Sequence, residues 1–260
     1  MTTNLLFVGC GKMGGALLQR VATLGRAYVV DPAPAPAQLK SLATWLPAPD
    51  KLEKDFKPDI VILTVKPQHM AEALPAYARF KSSVFLSIAA GQSIKRLGEL
   101  LGGDNFAIAR AMPNLPASVG AGATVASANK NVTAAQRALC DKILGAVGSV
   151  HWVEDENLLD AVTALSGSGP AYFFALAEAM TKAGVALGLP KELATQLARQ
   201  TLIGSGALLA QSPETLEALR AAVTSPGGTT EAALKHLGRL DELLLKAIKA
   251  AAARAKELSA

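Results

Sequence analysis

Cysteine is scarce in this 260-residue chain: Cys10 and Cys140 are the only two, and they lie far apart in sequence. That count excludes a disulfide framework and a cysteine-built metal cluster, so no metal site is expected, and it fits a reducing, cytoplasmic setting. Aromatics make up 5% of the residues and charged groups 18%, with a net charge of +5. A basic balance with no Lys/Arg cluster and few rings to stack on bases argues against a nucleic-acid partner. Long apolar runs are also missing. The best candidate, over residues 171–189, is interrupted by Glu178 and Lys182, short of the ~18 uninterrupted apolar residues a membrane span needs, so no membrane partner is expected. The opening Met-Thr-Thr-Asn-Leu-Leu-Phe-Val-Gly has no basic stretch before its short apolar run, and no signal peptide is expected. Twenty-two glycines and 14 prolines stay well below the ~25–30% that marks low-complexity chains, which excludes global disorder.

What is present is length and apolar character. At ~150 residues per domain the chain is long enough for one large domain or two modest ones, and half of it is hydrophobic. Leu5–Val8, Ala27–Val30, Asp59–Val65 and Val84–Ala89 read as buried strands, short and rich in Val, Ile, Leu and Phe. Phe106–Ala111, Gly122–Ala126 and Val150–Val153 are weaker candidates. Helical patterns at Met13–Thr23, Gln68–Phe80, Ile94–Leu101 and Ala134–Leu144 alternate with them, the last opened by a Thr133/Gln136 capping box. Such alternation predicts an α/β domain over residues 1–154, a mostly parallel sheet covered by helices.

Beyond it the pattern turns all-helical, over residues 155–260: Asp155–Leu165, Pro170–Leu187, Lys191–Gln211, Glu214–Val223, Thr230–Leu237 and Arg239–Leu258. Pro190 and Pro213 are expected in first turns and Gly188 and Gly238 at helix ends. These helices are rich in Ala and Gly and apolar on too many sides for one small bundle, so part of that surface is expected to be buried against another subunit.

Gly9-Cys10-Gly11-Lys12-Met13-Gly14 follows the first strand directly and opens a helix, the setting in which a G-x-G-x-x-G loop holds a dinucleotide pyrophosphate. The first glycine permits the tight turn, the second the approach of phosphate, the third close helix–strand packing. The anion then sits at the positive end of the helix dipole. Asp31 ends the second strand, where an acidic group accepts hydrogen bonds from an adenosine ribose and repels a 2′-phosphate. No arginine lies nearby, which leans the reading from NADPH to NADH. The alternative for Asp31 is a cap on the following turn. Thr64-Val65-Lys66-Pro67 closes the strand begun at Asp59 and brings Lys66 to the carboxyl edge of the sheet, where such folds bind ligands. Small residues after Ser87 leave room for a flat ring. His69, His151 and His236 fall in no site motif and read as structural or surface residues.

In the helical half, Ser166-Gly-Ser-Gly-Pro-Ala-Tyr172 and Ser225-Pro-Gly-Gly-Thr-Thr230 read as compact turns leading into helices. Glycine N–H groups at a helix start are a way to hold a small carboxylate without a basic residue. With Phe7–Gly14, Val65-Lys-Pro-Gln68, Ala89-Ala-Gly-Gln-Ser-Ile94, Arg110-Ala-Met-Pro-Asn-Leu-Pro116, Asp160–Tyr172 and Val223–Thr230 in order, the chain resembles the pyrroline-5-carboxylate reductase family over most of its length. The resemblance implies hydride transfer from NADPH or NADH to the C=N carbon of L-1-pyrroline-5-carboxylate, giving L-proline in the last step of its biosynthesis. It also implies an α/β Rossmann domain with a doubly wound sheet followed by a helical dimerisation domain, a substrate site shared between subunits, and a homodimer or a ring of dimers. Carried over by resemblance, Val8, Gly9, Cys10, Gly11, Lys12, Met13, Thr64, Val65, Lys66, Pro67, Ile88, Ala89 and Ala90 contact the cofactor, joining Gly14 and Asp31 from the residue reading. Ser225, Gly227, Gly228, Thr229 and Thr230 hold the substrate carboxylate, with the Thr230 hydroxyl facing the ring nitrogen as the catalytic group and Glu156 nearby. Thr230 or a bound water delivers the proton to nitrogen. The competing readings are a β-hydroxyacid dehydrogenase or imine reductase, whose lysine after a glycine-rich segment is missing before Lys182, and a non-catalytic dinucleotide sensor, which has no need of a carboxylate cradle.

Overall fold

The computed structural model of the chain describes residues 2–259. Eight strands, β1 (Thr3–Val8), β2 (Gly25–Val30), β3 (Thr44–Leu46), β4 (Ile60–Leu63), β5 (Val84–Ser87), β6 (Ala107–Met112), β7 (Gly122–Ala128) and β8 (Gly148–Trp152), form one sheet in the order β3-β2-β1-β4-β5-β6-β7-β8. Neighbours run parallel except β6 and β7. The chain winds outward from β1 in both directions, and the crevice of such a sheet opens at the carboxyl ends of β1 and β4, where the winding reverses. Side chains alternate between two cores: Leu5 and Phe7 face one with Ile60 and Ile62, Leu6 and Val8 the other with Val61 and Leu63. Both faces are covered, which is why these strands read as continuous apolar runs. Helices α1 (Lys12–Val21), α2 (Met70–Ala73), α3 (Ile94–Leu101), α4 (Ala134–Gly145) and α5 (Leu158–Val162) belong to this part of the chain. The capping box at the start of α4 is present, Thr133 Oγ1 accepting from the Gln136 N–H and Gln136 Oε1 from the Thr133 N–H.

Four local readings change. The edge strand β3 goes unread: at three residues it is too short to show a period, although Trp45 packs on one core and Leu46 on the other. Gln68–Phe80 is no continuous α-helix but a 3₁₀ turn (Pro67–His69), the single turn α2, and a second 3₁₀ turn (Leu74–Tyr77), because Pro75 has no N–H to continue the ladder. The helix expected from Glu214 starts at Leu216, with Thr215 Oγ1 accepting from the Ala218 N–H, so Pro213 lies outside its first turn. Ser166–Tyr172 is no interhelical turn. Residues Thr163–Gly167 form a π-helical turn between α5 and α6 (Gly169–Ala186), closed by the Ser168 N–H on the Thr163 carbonyl. Pro170 accounts for it: it cannot donate to the Ser166 carbonyl four residues back, and that carbonyl accepts from Asn114 Nδ2 at 3.3 Å instead.

By contacts the chain divides into two compact units, one holding the residues through Ser168 together with those from Ala251 onward, the other Gly169–Ala250. The segment 155–168 is helical as read, but it packs with the sheet: Leu159 and Ala164 are wholly buried, so the contact boundary lies beyond the expected division at 154/155. The second unit contains α6, α7 (Lys191–Gln211), α8 (Leu216–Ala222), α9 (Thr229–His236) and most of α10 (Leu240–Ser259). Its interior is nearly absent. Among its residues only Gly169, Ala194 and Ala198 are buried, while Phe173, Phe174, Leu176, Leu197, Ile203 and Leu208 are each at least half exposed.

Candidate functional site

A cleft of about 690 Å³ opens at the carboxyl edge of the sheet. Among the residues singled out from the sequence, Val8, Gly9, Cys10, Gly11, Asp31, Thr64, Val65 and Lys66 line it. Gly9 has φ +78°, and a Cβ there would press on the Val65 side chain and backbone. A Cβ on Gly14 would come within 2.5 Å of Thr64 Oγ1. A Cβ on Gly11 would meet nothing within 4 Å. Two glycines are therefore required by the protein's own packing, and the third leaves open space at the mouth of α1. The first-turn N–H groups of α1 have no side-chain cap there, so the space faces unsatisfied donors and the positive end of a helix. A diphosphate fits that cradle, and the residues present suit a dinucleotide.

Thr64 fixes the loop from the strand side, its hydroxyl donating to the Gly9 carbonyl at 2.6 Å. Asp31 fixes it from the other: Oδ2 accepts from the Cys10 N–H at 2.7 Å and Oδ1 from the Ala33 N–H at 2.8 Å. The turn cap anticipated as the alternative role is thus made, together with a latch on the glycine loop that the sequence did not signal. An ionised carboxylate has about four acceptor sites, so capacity remains for a ribose. Burial, with the Asp31 charge adding to it, pushes the Cys10 thiol up to about 11 and the Tyr77 phenol above its ordinary range. Pro47–Pro49, Glu72 and Tyr77 also line the cleft. They were missed because they come from the stretch that follows the unread strand β3 and from the broken helix after Pro67. His69, read as structural or surface, is exposed and lines the cleft as well.

The remaining residues expected to contact the cofactor stand beside this cleft or away from it. Lys12 and Met13 begin α1, Lys12 exposed and Met13 packed on the core. Pro67 starts the 3₁₀ turn after β4. Ile88, Ala89 and Ala90 lie on the loop between β5 and α3, Ala89 buried and Ala90 exposed. Glu156 is tied down: its Oε1 accepts from Arg110 Nη1 at 2.9 Å and from the Ile94 N–H, at the start of α3, at 2.9 Å.

Within the helical unit, Ser225–Gly228 precedes α9, with Gly228 at its N-cap and no side chain capping it. The Gly228 N–H is taken by the Ser225 carbonyl and the Gly227 N–H by Glu231 Oε2 at 2.7 Å. A carboxylate from the chain itself thus sits on one of the donors expected to hold a substrate carboxylate. Thr229 and Thr230 supply the first two residues of α9.

Residues 156–258 match the pyrroline-5-carboxylate reductase dimerisation family, and residues 4–91 the coenzyme F420-dependent NADP oxidoreductase family. A pyrroline-5-carboxylate reductase of Pseudomonas aeruginosa is 38% identical over 99% of this chain and 97% of its own. That of Synechocystis is 38% identical over 99% of both. The structure of the Coxiella burnetii pyrroline-5-carboxylate reductase superposes with a TM-score of 0.92 at 36% identity over all of both chains. The Plasmodium falciparum pyrroline carboxylate reductase, solved with NADP bound, gives 0.83 at 28% identity over 99% of this chain and 98% of its own.

Proposed function

The chain belongs to the pyrroline-5-carboxylate reductase family, and on that premise we propose how its residues divide the reduction of L-1-pyrroline-5-carboxylate to L-proline. The observation that carries the reading is the glycine loop, with Gly9 and Gly14 packed against protein and Gly11 facing open space at the start of α1. It supports a pyrophosphate held by Gly9–Gly14, with Val8, Thr64, Val65, Lys66 and Pro67 walling the cleft and Ile88–Ala90 beside the ring that reacts. The dihydronicotinamide, when bound, supplies the hydride that the C=N carbon receives.

The chain's own part is binding, orientation and proton delivery. Residues 1–154 are assigned to the dinucleotide and 155–260 to dimerisation and substrate. Ser225, Gly227, Gly228, Thr229 and Thr230 hold the substrate carboxylate, which replaces Glu231 at the Gly227 N–H. Thr230 orients the ring nitrogen, and its hydroxyl or a bound water gives the proton. Asp31 favours NADH: its charge repels a 2′-phosphate, and the cleft is lined by Glu72 but by no arginine. The assembly is a homodimer, or a ring of dimers, in the cytoplasm, with neither nucleic acid nor membrane as partner; among the described residues no helix is long and apolar enough to cross a membrane. The test is oxidation of NADH and NADPH by the purified protein with and without pyrroline-5-carboxylate. Turnover that requires the imine supports the reading, and no turnover with either dinucleotide at saturating imine overturns it.

A further inference from the structure

The loop between β5 and α3, Ile88–Ser93, is held by two groups that come from far along the chain. At its end, the Glu156 carboxylate bridges the Ile94 N–H and Arg110, and the Arg110 side chain is 6% exposed. At its middle, Gly91 has φ +70° and packs beneath the backbone of Leu258, in the last turn of α10; a Cβ there would lie 2.5 Å from the Leu258 carbonyl oxygen and 3.2 Å from its carbon. A third bond is local, Ser87 Oγ accepting from the Ala89 N–H at 3.3 Å. The residues that close on this loop, 156 and 258, are the two ends of the segment matching the dimerisation family.

We propose that Glu156 and the last turn of α10 are positioning groups for the Ile88–Ala90 segment, so that the ends of the helical region set where the nicotinamide ring lies. This rests on the reading of Ile88–Ala90 as cofactor contacts. Ile88 and Ala89 pack on the two cores and the Ile88 N–H donates to the Leu63 carbonyl, but from there on the loop has little packing of its own, Ala90 being exposed and Gly91 having no side chain. Beyond Ala89 its path is therefore fixed by what grips its backbone. A displacement of an ångström at a ring-contacting loop is enough to lower turnover substantially without unfolding anything. It also gives Glu156 a role different from direct contact with substrate, since its Oε1 is already engaged by two donors.

The test is a set of full-length variants read by dinucleotide affinity (quenching of protein fluorescence by whichever of NADH or NADPH binds more tightly), by kcat, and by melting temperature. Gly91→Asn keeps a residue tolerant of the left-handed backbone but places a Cβ against the Leu258 carbonyl. Gly102→Asn is its control, at φ +95° with nothing within 4 Å. Gly91→Asn should weaken dinucleotide binding and lower kcat by about tenfold or more, with melting lowered as the last turn of α10 gives way, while Gly102→Asn leaves binding and kcat unchanged. Glu156→Ala should do the same, and Glu156→Gln, which still offers an oxygen to Ile94, should recover much of the loss. If Glu156→Ala does not fold, Gly91→Asn decides. A folded Gly91→Asn, and a Glu156→Ala that folds, with affinity and kcat both within about twofold of wild type, or with effects confined to melting temperature, would overturn the proposal. A wild type that binds dinucleotide but does not reduce the imine defeats the functional reading instead, and the affinity comparison still decides on the loop.

Discussion

Asp31 illustrates how one carboxylate serves two demands. Its oxygens hold the Cys10 and Ala33 N–H groups, and its charge stands at the edge of the cleft. Asp31→Asn retains an oxygen for one of those donors and removes the charge. The ratio of kcat/KM with NADH to that with NADPH should fall about tenfold, since like charges brought together cost up to several kcal/mol. Steady-state kinetics with both dinucleotides measures it, and an unmoved ratio rules out the ribose contact. The same neighbourhood fixes the thiol. In the folded chain Cys10 keeps its proton until about 11, against an ordinary value of 9.0. The unfolded chain releases that proton first, so the thiol's contribution to stability is complete below pH 9 and is lost as the pH rises toward 11. Unfolding curves between pH 8 and 11 should show stability falling less steeply in Cys10→Ala than in the wild type.

At the scale of elements, the strand–loop–helix unit was legible because glycine spacing and strand composition each have one physical cause. Gly11→Val tests the division of roles among the glycines. Its backbone, φ −69°, suits any residue and its side chain meets no protein, so the variant should fold with near-native melting and lose dinucleotide binding. Gly14→Ala, which drives a Cβ into Thr64, should lower the melting temperature. Calorimetry with a dinucleotide titration separates the two; a folded Gly11→Val with wild-type affinity contradicts the assignment. Other elements could not be read. Whether Asp31 contacts a ribose or a turn depends on where Cys10 and Ala33 fall in space, which one-dimensional spacing does not encode. The π turn arises from Pro170 acting on Ser166 and from Asn114, some fifty residues upstream, supplying the missing donor. Periodicity marks neither the partner nor the extra residue in the turn. Glu231 on the Gly227 N–H lay outside the motif as read, although its place four residues on, in the first turn of α9, is a signal that was available.

For the whole molecule, shared sites make a sharp prediction. Gly11→Val disables the dinucleotide loop and Thr230→Ala the substrate loop. If each site draws on two chains, a heterodimer of the two variants has one site with both lesions and one with neither, so mixing should restore part of the activity. If each site belongs to one chain, every site keeps a lesion and the mixture stays inactive. Activity after subunit exchange, confirmed by mass, distinguishes them, and light scattering at micromolar concentration should report no monomer.

The near-absence of an interior in Gly169–Ala250 has a thermodynamic consequence. The sheet unit encloses two cores of its own, so its cohesion is independent of how many copies are in the tube. The helical unit has little but Ala194 and Ala198 inside, so its cohesion should follow a second-order equilibrium governed by mass action. Diluting the protein should therefore lower the temperature at which helical ellipticity is lost while leaving the melting of the sheet in place, so that one transition at high concentration separates into two. Superimposable melting curves across a hundredfold dilution would mean that the helices are held together without a partner.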